Sequence, residues 1–77
     1  MRYRIIANEE TSKGFALFGA EAVAVSNDEQ ARAAFEEAFL DASLGAVVLS
    51  KEVGEMIADA VASHASCRLP QVLVLDD

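Results

Sequence analysis

Few side chains in this sequence are of a type and spacing that could do chemistry. Glu9 and Glu10 follow an apolar run, Thr11 and Ser12 are adjacent hydroxyls, and His64 and Cys67 lie three residues apart. Paired carboxylates at the end of a strand could serve acid–base or metal chemistry, because α/β folds gather ligands at the carboxyl ends of their strands. At a helix start the same two residues interact favourably with the helix dipole, worth about 0.3 to 1 kcal/mol, and that is the role we expect for them. His64 and Cys67 have the spacing of two metal ligands, or of a base beside a thiol. No third ligand stands near them in sequence and His64 falls on an apolar stripe, so both are expected to be structural. Thr11 and Ser12 are expected to cap or turn the chain. After the first apolar run the chain reads Ala7-Asn8-Glu9-Glu10-Thr11, without the glycines of a dinucleotide fingerprint, and no Gly-Lys-Ser or Gly-Lys-Thr string occurs. A phosphoacceptor receiver domain needs an Asp at the end of its third strand, where this sequence has Ser50. No catalytic residue, cofactor or metal ligand is assigned.

The elements that must position these residues alternate in type. Arg2 to Ala7, Glu21 to Ser26, Ala46 to Ser50 and Gln71 to Leu75 read as strands. The last two are continuous apolar runs, the pattern of parallel strands covered by helices on both faces. A short first helix is expected over Thr11 to Phe18, with Gly19 suited to a left-handed stop. A capping box of Ser26 and Glu29 opens the second, whose core face is Ala31, Ala34, Phe35, Ala38 and Phe39. The third starts after Ser50 and carries Val53, Met56, Ile57, Ala60, Val61 and His64 on one stripe. The expectation is one α/β domain over residues 1–77, with a small three-layer Rossmann-like architecture. Its four-stranded parallel sheet has order 2-1-3-4 and is flanked by three helices on right-handed crossovers. Ile5, Ile6, Val47, Val48 and Leu49 should be buried.

Seventy-seven residues, 53% apolar and 25% charged, suit one small globular domain. A chain this short buries only about 60% of its unfolded surface, so help from a partner surface is expected and a large enclosed cavity is not. Six basic against thirteen acidic residues give a net charge of -7, which repels phosphate backbones and anionic lipid surfaces. Nucleic acid is therefore not an expected partner. No run approaches the roughly 20 apolar residues of a membrane span, and the first residues are too few for a signal sequence, so no direct membrane insertion is expected. A single cysteine excludes an internal disulfide and fits a reducing, cytoplasmic compartment.

The string Glu9-Glu10-Thr11-Ser12-Lys13-Gly14-Phe15-Ala16-Leu17-Phe18-Gly19, after an apolar first strand, resembles the F subunit of V-type and archaeal-type ATP synthases. Gly14, Phe15, Leu17 and Gly19, with Glu9 and Thr11 upstream, match that family's pattern, while Ala7 and Asn8 stand where it usually has Gly and Asp. Leu44-Gly45-Ala46-Val47-Val48-Leu49-Ser50 resembles its third strand, and Leu69-Pro70 before Val72-Leu73-Val74-Leu75 its approach to the fourth. Family members usually continue past that strand into a tail, whereas this sequence ends at Asp77, so functions of the tail are not carried over. The resemblance implies a non-catalytic rotor subunit of the central stalk, peripheral to the membrane. It would be bound to the coiled-coil D subunit of the stalk and influence ATP hydrolysis by the catalytic head. The alternative from the residues themselves is a small-ligand binding or receiver-like signalling domain using a crevice near Asn8, Glu9 and Ser50. A partner surface is expected around the first helix and second strand, at Phe15, Phe18, Ala20, Ala22 and Ala24, because a helix of two turns is too short to hide both rings.

Overall fold

The computed structural model describes residues 2–64 and 71–75. Strand β1 (Arg2–Ala7) leads into helix α1 (Glu9–Leu17), β2 (Ala22–Ala24) and α2 (Asp28–Leu40). They are followed by β3 (Leu44–Leu49), α3 (Lys51–Met56), α4 (Ala58–Ser63) and β4 (Gln71–Val74). All strand pairs are parallel and the order is β2-β1-β3-β4, as expected.

Parallel pairing puts laterally aligned residues on one face. Val23, Ile6, Leu49 and Val74 form one row, and Ala22, Ile5, Val48 and Leu73 the row on the opposite face. The first row faces the main core, where Ile6, Val47 and Leu49 meet Phe35, Ala31 and Ala38 of α2, with Val53 and Ile57 beyond, while Val74 at the edge is half exposed. Phe35 is fully buried, and edge-to-face contact with Phe39 at 4.8 Å adds to what its area alone contributes. The opposite face carries α1, which packs on β1 and β2. Ile5 and Ala7 are buried beneath it, outside the main cluster.

Four expectations need correction. The stripe from Val53 to His64 is carried by two short helices, because Ile57 leaves helical geometry at φ -118 and ψ 35 while staying buried in the core. The helical periodicity continues across the bend, so the spacing alone cannot show it. The cap of α2 sits one residue later than the Ser26–Glu29 box: Asn27 accepts from the Gln30 backbone N–H at 2.8 Å, and the Gln30 side chain reaches back to the Ser26 N–H. The Asn27 amide oxygen reaches the Gln30 N–H and caps the helix in place of the Ser26 hydroxyl. Helix α1 starts at Glu9, so Thr11 and Ser12 lie inside it and Ser12 is buried against the sheet. Val48 is only half-buried, because no described helix covers β3 and β4 on the α1 face. Ser50 does cap α3, accepting from the Val53 N–H at 3.3 Å, and Gly19 does take the left-handed stop at φ 84.

Candidate functional site

Two concave features flank α1. At the carboxyl ends of the strands, where the sheet order reverses between β1 and β3, a cleft of about 110 Å³ is lined by Asn8, Thr11, Ser50, Lys51, Glu52 and Leu75. This is the place where open α/β sheets hold ligands. Glu9 and Glu10 occupy the first turn of α1 there, which favours the helix dipole and disfavours a phosphate. Glu9 pairs with Lys13 one turn on at 3.3 Å, and both are exposed. Among the described residues no group of three metal-binding side chains converges.

The second feature is apolar. Thr11, Gly14, Phe15 and Phe18 recur at helical spacing along one flank of α1 and line an open groove of about 250 Å³. Phe18 is 91% exposed at the end of the helix, beside an exposed Leu17, while Phe15 is half-buried. The structure thus brings Phe15 and Phe18 together. Ala20 is half-buried in the connection to β2, and Ala22 is half-buried on the face of β2 that α1 covers. Ala24 is exposed at the end of this edge strand, and neither Ala22 nor Ala24 lines the groove. Sequence reasoning missed the half-exposed Tyr3 and Leu73 on the same side of the sheet, since periodicity within a strand does not say which face lacks a cover.

The other candidate and charged side chains make contacts within the fold. His64 caps α4 and stacks on Phe39 with ring centroids 4.3 Å apart, its edge towards Phe35. Cys67 lies outside the described residues. At the amino ends of the strands, Arg2 and Arg4 converge on Glu21 at 2.6 and 2.8 Å and on Asp41 at 3.3 and 3.5 Å, and Arg2 also reaches the Ser43 hydroxyl. Hydrogen bonds from Arg4 and then Arg2 hold the Glu21 carboxyl below its ordinary range. Asp41 is lowered first by the Ser43 hydroxyl and N–H, with the two arginines adding to it. Arg32 bridges Asp28 and Asp59, tying α2 to α4 and lowering Asp59.

The family model of the ATP synthase (F/14-kDa) subunit matches residues 4–77, all but the first three. The chain belongs to this family. No curated protein matches it. The match covers the Glu9 to Gly19 string, and membership in the family implies a place in an ATP synthase complex. Among the described residues of this F subunit no helix is long and apolar enough to cross a membrane.

Proposed function

We propose that this F subunit is a non-catalytic part of the central rotor stalk of a V-type or archaeal-type ATPase. There it binds the elongated coiled-coil D subunit and adjusts ATP hydrolysis or synthesis coupled to ion transport, as a cytoplasmic component peripheral to the membrane. The observation that carries this reading is the family match across residues 4–77. An acidic domain with an exposed Phe18 and Leu17 beside an apolar groove supports it, since aromatic and aliphatic anchors set in a pocket are what hold protein interfaces together. The proposed contact region is α1 with the neighbouring β2 edge, at Phe15, Phe18, Ala20, Ala22 and Ala24.

The test is ATP hydrolysis by the catalytic head carrying its coiled-coil stalk protein, measured with and without this chain. A saturable change in rate, reached at one chain per head, is the expected result. An unchanged rate at saturating concentration, with no chain retained on the head, would remove the stalk reading.

A further inference from the structure

The sheet face that bears α1 has width for a second helix beside it. In register order, Tyr3, Ala46 and Gln71 form one row on this face, and Ile5, Val48 and Leu73 the next. Helix α1 lies over β1 and β2, so Ile5 is buried, whereas Tyr3 and Leu73 are each 49% exposed and Ala46 and Val48 are half-buried. The half that no described residue covers is about two strands wide. With strands about 4.8 Å apart that is roughly 10 Å, the diameter of a single helix with its side chains. Thr11 lines both the apolar groove and the cleft that holds Ser50 and Leu75, so the Thr11, Gly14, Phe15, Phe18 flank of α1 looks towards β3 and β4. Gly14 has open space where a Cβ would stand, which lets a neighbouring backbone come close.

Charge narrows the occupant. Arg2, Arg4, Lys13 and Arg32 are each ion-paired within the chain, which leaves Lys51 facing an excess of unpaired carboxylates among the described residues. Glu10, on α1 beside Thr11, and Glu52, in the cleft beside Lys51, are two of these. A surface of that sign draws in a basic partner and repels a second copy of itself.

We propose that an amphipathic α-helix of the stalk partner, apolar along one stripe and flanked by Lys and Arg, seats on this open half-face. It lies between the Thr11 to Phe18 flank of α1 and Leu73 of the edge strand, and it completes the layer that α1 begins. This inference rests on the stalk reading and adds where, and through what chemistry, the partner is held.

The experiment is calorimetric titration of the coiled-coil D subunit into the chain and into Phe18→Glu, Leu73→Glu and Tyr3→Ser, with Leu40→Glu and Ala33→Glu as exposed controls on α2. A thermal melt accompanies each variant, and Tyr3→Ser stands in if Leu73→Glu does not fold. Phe18→Glu and the Leu73 or Tyr3 variant should each weaken binding about tenfold or more, the controls should leave it unchanged, and raising the salt should weaken the native complex. Unchanged affinity in the folded groove and sheet variants, with native binding intact, would overturn this placement and leave the stalk reading standing. Failure of the native chain to bind the coiled-coil protein would remove both. A homodimer of the isolated chain that Leu73→Glu dissociates would assign the open half-face to self-association instead.

Discussion

Phe18 and Phe35 are the same amino acid in opposite circumstances: one is almost wholly exposed at the end of α1, the other is sealed beneath α2. Phe35→Ala should cost about 3 to 5 kcal/mol, enough to unfold much of so small a domain at 25 °C. Phe18→Ala should barely move the melting temperature while weakening the complex with the coiled-coil stalk protein. Thermal melts of the two variants check this, and a comparable drop in both would show that Phe18 is held in a packed site. A second residue-scale test uses Glu21, whose carboxyl is lowered by Arg4 and Arg2. A lowered carboxylate contributes stability that is present above its unfolded pKa and fades as pH falls through its folded value. The melting temperature of Glu21→Gln should therefore lie below the parent's at pH 7 and converge on it as pH falls below the ordinary carboxylate range. Because the group is exposed the gap should be small and should shrink further in high salt. A gap that persists at low pH would mean that Glu21 acts through packing.

At the scale of elements, two glycines give opposite expectations. A Cβ on Gly54 would stand 2.8 Å from a methyl of Val74, and a β-branched neighbour cannot swing aside. Gly54→Ala should thus destabilise by about 1 to 3 kcal/mol, outweighing the gain in helix propensity of roughly 1 kcal/mol. Gly14→Ala, with open space at the same atom, should stabilise the free domain by about 0.5 to 1 kcal/mol. Chemical denaturation of both variants measures the contrast, and equal signs would mean that α3 does not approach β4 this closely. Strand order, the Ser50 cap and the Gly19 stop were all legible, because alternation of element types, a hydroxyl before a helix and a glycine after one each have a local physical cause. The bend at Ile57 and the Asn27 cap were not legible. Each turns on which of several adequate neighbours packs or bonds best, and that is decided in three dimensions. The open half-face was read wrongly for a similar reason: Val72 to Leu75 is apolar throughout, and composition cannot distinguish a strand covered on both faces from one that waits for a partner.

Taken whole, the described residues form three layers, one of them half filled, with an acidic surface and a small cleft at the strand ends. That two rings on a two-turn helix would not both be hidden was legible in the sequence, and Phe18 is exposed, but the exposure of Tyr3 and Leu73 needed the sheet register. Acidic residues at the start of α1 lead to a further expectation, that the isolated chain gives no micromolar isotherm with ATP and magnesium in calorimetry. A clear isotherm, abolished by substitution of Asn8 or Ser50, would show that the cleft is a ligand site. The central claim is tested most directly by mixing the purified chain with the coiled-coil D subunit encoded in the same genome and measuring the mass of the product by size exclusion with light scattering. One complex holding one copy of each protein is the expected product. Separate elution of the two at concentrations of tens of micromolar would contradict it.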